Sequence, residues 1–338
     1  MIGVIGYFCE DFFPALERDF EFVPGKLQEI SAMPGCPGGS VGNTGGALCM
    51  LKVPVRLGTL TSDDAAGSVL RLVVDGYAPS GGAEHVIVPG KASGVTLVLN
   101  PPGRDRMFLC CRGVNDLMTA STFPERFYEG LDLLHFGYPS LSLGMAENCG
   151  EETAKLFSFC RGRGILTSLD LSLPSEDTPF YAMDWCAFFR KVLPLTDFFC
   201  PSIDELRCML RDDASAPEEL AERALSFGCG AILLKMGGRG LLLMTADDPA
   251  LETRLRKFGA GAWRGLRCHV PPEKIRVVNA TGAGDTAIAG FLAAVASGFG
   301  GEASAKIASR TAVARIASPL GIRGIPPLEE IVAQSTDK

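Results

Sequence analysis

The chain of 338 residues has three histidines, no Cys-x-x-Cys pair and no His-Glu-x-x-His run, which removes the common sequence frameworks for zinc or redox chemistry. Its twelve cysteines are scattered singly apart from Cys110 and Cys111, so most are expected to be reduced, buried, small apolar residues. Positive charge is also in short supply. With 32 Lys and Arg against 39 Asp and Glu, the formal net charge of -7 has the wrong sign for a surface that grips phosphate backbones, and nucleic acid is not an expected partner. No apolar run approaches the roughly 18 residues that a membrane helix needs. The opening MIGVIGYFCEDFF lacks a basic lead and sets Glu10 and Asp11 where a signal peptide would stay apolar, so a cytoplasmic protein with no membrane partner is expected. Repeats with a period of roughly 20 to 50 residues and low-complexity tracts are missing as well.

What the chain does have is a rhythm. Hydrophobic residues make up 47% of it, enough to bury a large core. Short apolar runs at 2–5, 55–57, 133–136, 165–169, 198–200 and 231–234 read as buried strands, and longer amphipathic stretches at 151–161, 180–193, 217–227 and 284–297 read as crossover helices. Alternation of this kind predicts an α/β fold with a mostly parallel sheet covered on both faces. Two regions, about 12–37 and 85–113, carry β-type runs without intervening helices and are expected to pair as a small separate sheet, a lid over a ligand or an ordinary surface hairpin. The segment 247–265 is polar and irregular, with the composition of a long loop.

The most informative stretch is Val277-Val-Asn-Ala-Thr-Gly-Ala-Gly-Asp-Thr-Ala-Ile-Ala-Gly-Phe-Leu-Ala-Ala-Val295. Ile288, Phe291, Leu292 and Val295 fall on one helical stripe, so the glycine-rich turn before them opens a helix. There Gly282, Ala283 and Gly284 would present unpaired N–H groups at the positive end of the dipole, a cradle for a phosphoryl group. Asp285 has two readings at this point: a residue that complements the dipole, or a base that takes a proton from a hydroxyl attacking phosphorus. The same letters satisfy a Gly-x-Gly-x-x-Ala dinucleotide fingerprint, but that motif belongs in the first βα unit and this one lies near the end, before a helical pattern at 303–317. No Gly-x-x-x-x-Gly-Lys-Ser/Thr appears, which excludes a P-loop.

The run Asn279-Ala-Thr-Gly-Ala-Gly-Asp-Thr286 resembles the C-terminal signature of the ribokinase-like (PfkB) carbohydrate kinases, and five further segments are similar in the same order. These are Gly6-Tyr-Phe-Cys-Glu-Asp11, Gly38-Gly-Ser-Val-Gly-Asn43, Leu57-Gly-Thr-Leu-Thr-Ser-Asp-Asp-Ala-Ala-Gly67, and Pro201-Ser-Ile-Asp-Glu205 with Lys235-Met-Gly-Gly-Arg-Gly240. The resemblance implies a three-layer α/β/α domain over residues 1–338 with a β-lid. It implies ATP-dependent transfer to a primary hydroxyl of a sugar or sugar-like molecule, with Asp285 as base and Gly282, Ala283 and Gly284 as anion hole. Asp11, Gly39 and Asn43 then hold the substrate, although from the residues alone Asp11 reads sooner as a strand-end turn residue and Asn43 as a helix cap. Lys235, Gly237, Gly240, Thr281, Gly282 and Gly284 line the nucleotide side, Lys235 as a strand-end residue. Glu205 organises Mg2+ through water.

Departures from the pattern accompany the likeness. Ser202 stands where the family usually has asparagine, and Asn279 replaces an aspartate that in relatives helps hold a monovalent cation, which puts potassium activation in doubt. A homodimer through the lid is implied by analogy. A nucleoside kinase is the alternative enzyme, with Phe8, Phe12 and Phe13 as a possible wall for a base, and a non-catalytic sugar-binding protein is the alternative class. A phosphorylated or carboxylated sugar would need Arg104, Arg106 or Arg112 in the cleft; otherwise these are solvated hairpin charges.

Overall fold

A computed structural model of the chain describes residues 1–19, 23–78, 82–103, 106–259 and 261–336. The strands are β1 (Ile2–Gly6), β2 (Phe8–Phe12), β3 (Gly35–Gly38), β4 (Val55–Thr61), β5 (Ala83–Ile87), β6 (Gly94–Leu99) and β7 (Met107–Cys111), followed by β8 (Leu133–Gly137), β9 (Leu166–Leu169), β10 (Phe198–Phe199), β11 (Ala231–Lys235), β12 (Leu241–Thr245) and β13 (Arg267–Val270). Nine of them form one sheet in the order β13-β12-β11-β10-β9-β8-β1-β4-β5. It is parallel except at β12, which runs antiparallel to both neighbours. Helices cover both faces, and each face has its own apolar core, one around Phe157, Phe188 and Phe189, the other around Phe198, Trp263 and Phe291. Strands covered on both sides must be apolar along their length, which is why β1 and β8 are buried at every position.

A second sheet, in the order β3-β2-β6-β7, stands apart from the first. The chain passes into it between Gly6 and Phe8, so Asp11 belongs to this small sheet rather than to the end of the first strand. The expected lid segment from residue 85 is also shorter at its start. The helix Ala65–Tyr77 returns the chain for β5 to pair in parallel with β4 in the large sheet, taking His85 with it, and the small sheet resumes only at β6.

The segment 247–265 is less irregular than its composition suggests. Asp248 caps the helix Pro249–Leu255 by accepting from the Ala250 N–H, proline sits in its first turn, and Leu251 and Leu255 turn inward one helical turn apart. The expectation of mostly buried cysteines also fails: Cys9, Cys160, Cys200 and Cys229 are buried, while Cys36, Cys110 and Cys111 are exposed on β3 and the edge strand β7. All twelve are free thiols.

Candidate active site

The glycine-rich turn opens a helix, as the sequence predicts. Gly282 is the N-cap of the helix Ala283–Ala296 with φ +72, a left-handed conformation that favours glycine. Ala283, expected to offer an open N–H, does not: the turn closes on itself and the Ala280 carbonyl accepts that N–H at 3.2 Å, whereas no acceptor among the described residues takes the N–H of Gly282, Gly284 or Asp285. The Asn279 carboxamide oxygen accepts from the Thr281 N–H at 2.8 Å and fixes the turn from its other end. From the edge of the small sheet, Arg106 donates to the Thr281 hydroxyl at 2.6 Å. Arg112 is engaged elsewhere, paired with Asp116 at 2.9 Å and lying over Phe180, and Arg104 falls outside the described residues.

Asp285 occupies the first turn of that helix, and Oδ1 accepts from the hydroxyls of Tyr138 and Thr44, the latter at 3.3 Å. Tyr138 directly follows β8, and Thr44 lies in the π-helical turn Val41–Gly45, so the carboxylate is held from two further elements. It remains half-exposed at the mouth while protein packs closely behind it. Burial pushes its pKa above the usual carboxylate range, and the opposing pull of Lys235 and the two hydroxyl hydrogen bonds reduces the rise.

Lys235, the last residue of β11, is turned toward the cradle. Its Nζ donates to Asp170 Oδ1 at 2.6 Å, and a methyl built on Gly284 would lie 3.6 Å from the same nitrogen. Burial alone would lower the lysine pKa, but Asp170, Glu205 and Asp285 together hold it above the ordinary value, so the ammonium is retained. Gly237 and Gly240 bound the short turn from β11 to β12 just beyond it. Glu205, buried in the first turn of the helix Ile203–Leu210, forms a capping box with Ser202: its Oε2 accepts from the Ser202 N–H at 2.6 Å, and the Ser202 hydroxyl accepts from the Glu205 N–H at 3.2 Å. Ser202 therefore serves as a helix cap, and its hydroxyl is occupied. His135, under this layer in β8, bonds Ser168 at 3.0 Å, and burial lowers its pKa to about 3, so it stays neutral.

Asp11 on β2 accepts from Cys9 Sγ at 3.1 Å, and its carboxylate lies directly over Gly38. Burial raises its pKa, with a further small push from the Asp285 charge across the cleft. Asn43 reaches the cradle, since a methyl on Gly282 would sit 3.2 Å from its Oδ1. Gly39, expected to let a ligand approach the backbone, is needed first by the protein itself. Its φ is +71, and any Cβ there would lie 2.2 Å from the Tyr7 carbonyl oxygen.

Asn43 and Lys235 thus come against the turn Thr281–Asp285, Glu205 and Asp11 lie close enough for their charges to act on Asp285 or be acted on by it, and Lys235 ends a parallel strand with Gly237 and Gly240 just beyond. Tyr138, Thr44, Asp170 and Arg315 belong to the same cluster and were not anticipated. For Tyr138 and Asp170 a signal existed, because each directly follows a buried parallel strand, where α/β folds place functional groups. Of the aromatic wall, Phe8 is wholly buried in the core, while Phe12 and Phe13 are half-buried on the small-sheet side.

The sequence pattern described as "pfkB family carbohydrate kinase" matches residues 21–327. The chain belongs to that family. Solved structures repeat its fold over nearly the whole length. Ribokinase from Thermotoga maritima aligns with a TM-score of 0.74 at 18% identity over 98% of each chain. Arabidopsis thaliana ribokinase in complex with ribose and ATP gives 0.76 at 16% over 100% of this chain and 99% of that one. A Burkholderia thailandensis nucleoside kinase with inosine gives 0.69 at 17% over 99% and 97%. No curated protein sequence matches the chain. The three-layer ribokinase-like architecture with its small β-lid is therefore established, and no helix among the described residues is long and apolar enough to cross a membrane.

Proposed function

We propose that the protein transfers the γ-phosphoryl group of ATP to a primary hydroxyl of a sugar or sugar-like small molecule. The observation that carries this reading is Asp285 in the same helical turn as the open N–H groups of Gly282 and Gly284: a proton acceptor and a phosphate cradle within one residue of each other. The acceptor oxygen forms a bond to the γ-phosphorus as the bond to the bridging oxygen breaks and ADP leaves with the electron pair. The hydroxyl proton passes to Asp285. Positioned bases contribute about 100-fold to 10,000-fold in such steps, and each preorganised donor at the developing charge a further 100-fold to 1,000-fold or so.

Asp11 on the small sheet and Asn43 beside Gly282 suit recognition of adjacent hydroxyls, where an analogue lacking them would strand buried polar groups. Related structures hold ribose with ATP in one case and inosine in another, and both are small hydroxyl-bearing molecules. The sugar reading is preferred over the nucleoside one because Phe8 is spent in the core. A purely binding role is disfavoured by the intact pairing of base and cradle.

Mg2+ fits as a companion of the nucleotide. A cation held through phosphates and water needs only one or two protein carboxylates, and Glu205 lies within the electrostatic neighbourhood of Lys235 and Asp285. It would neutralise charge on the β- and γ-phosphates. Potassium is not needed in this reading, since Asn279 has no carboxylate and its carboxamide oxygen is already engaged. The edge strand β7, exposed along its whole length and carrying Met107, Phe108 and Leu109, suits pairing with a second copy of the lid. An ATP-consumption assay against a panel of sugars and nucleosides tests the proposal: turnover on sugars supports it, preference for nucleosides favours the alternative, and no turnover on any acceptor contradicts it.

A further inference from the structure

Arg315 lies in the last turn of the helix Gly301–Ala317 and is only 9% exposed. Its Nε has no hydrogen-bond partner, and no carboxylate among the described residues pairs with the guanidinium. Arginine in a final helical turn ordinarily complements the dipole by bonding the terminal carbonyls, but this side chain makes no such bond. It reaches back to the cradle instead: a methyl on Gly282 would lie 3.0 Å from one terminal nitrogen and 3.1 Å from Nε, beside Asn43 Oδ1 at 3.2 Å. Arg315 and Asp285 also feel each other's charge.

A buried cation without a counter-ion costs stability, so it persists where something else uses it. The guanidinium thus lies beside a residue whose own N–H has no acceptor among the described residues, and its planar fork of five donors matches phosphate oxygens. We infer that Arg315 contacts the transferring phosphoryl group, adding a fixed positive charge to the N–H cradle as negative charge develops on its equatorial oxygens. Lys235 approaches Gly284 from the opposite element, so the migrating group would be flanked by two cations. This inference rests on the phosphotransfer reading and extends it to a residue that no sequence motif marked.

The test compares the wild type with Arg315→Met and Arg315→Lys in three measurements. Thermal unfolding separates function from scaffold: loss of an unpaired buried charge should leave the Arg315→Met midpoint at or above that of the wild type. In turnover on the best acceptor of the panel, Arg315→Met should lower kcat about 100-fold to 1,000-fold with the acceptor KM little changed, Arg315→Lys should recover part of the loss, and added guanidinium ion should partly rescue the methionine variant. Unchanged kcat, or a loss confined to acceptor KM, would overturn the inference. Calorimetric binding of MgATP and MgADP needs no acceptor. The wild type should favour MgATP and Arg315→Met should lose that preference while still binding MgADP; equal preference in both proteins would overturn the assignment. If the wild type phosphorylates nothing, the kinase reading falls, and the binding comparison still decides the role of Arg315.

Discussion

The Tyr138 hydroxyl donates its hydrogen bond to Oδ1 of Asp285, joining the carboxyl end of β8 to the first turn of the helix Ala283–Ala296. The bond favours the ionised carboxylate and so works against the burial that raises its pKa. Tyr138→Phe should therefore raise the Asp285 pKa further. In a pH–rate profile the acidic limb of kcat should move to higher pH, with most activity regained on the alkaline side; a limb that stays in place would show that the bond does not tune the base.

The wild-type profile has its own expected form. A base works only when deprotonated, and burial holds the Asp285 pKa above the ordinary aspartate range, so activity should fall as pH drops through that raised value, at a less acid pH than a free aspartate would give. A flat rate down to the ordinary aspartate range would contradict the assignment.

Lys235 and Asp170 form a pair in which Asp170 is 1% exposed. Lys235→Met would leave that carboxylate buried without its partner, a change that typically costs about 3–5 kcal/mol. Denaturant unfolding should show a loss of that order together with weaker ATP turnover. Replacing both residues, as in Lys235→Met with Asp170→Leu, should restore much of the stability without restoring turnover.

Much of the fold was legible because parallel strands buried on both faces announce themselves as short apolar runs, and the helix stripe from Ile288 to Val295 fixed where the cradle lies. The cradle itself is local, a turn set by the backbone of Gly282, Ala283 and Gly284. Residues whose meaning depends on distant partners were harder to read. Arg315 continues the buried face of the helix Gly301–Ala317, and nothing in its local sequence sets it apart until that helix packs beside residue 282. His85 joins the large sheet because a single crossover helix decides where β5 pairs, and the capping box that Ser202 and Glu205 form at one helix N-terminus shows only once the helix start is fixed.

Asn279 offers a check on cation dependence. With its carboxamide engaged by the Thr281 N–H and no carboxylate of its own, turnover in potassium and in sodium buffers of equal ionic strength should agree within about twofold, well under the 1.4 kcal/mol that a tenfold change represents. Strong activation by potassium would show that the turn still holds a cation.

The edge strand β7 makes a prediction about assembly. Sedimentation of the wild type should give a dimer, and Leu109→Glu, which places charge on an exposed strand residue, should give a monomer with an unchanged unfolding midpoint. A monomeric wild type would remove the lid edge as an interface.

The most direct measurement is turnover by Asp285→Asn on the acceptor that the wild type phosphorylates fastest, with MgATP and acceptor binding followed in parallel. The account predicts that both ligands still bind while kcat falls by about 1,000-fold or more, because the isosteric amide cannot accept the proton. Turnover within a few-fold of the wild type would contradict it.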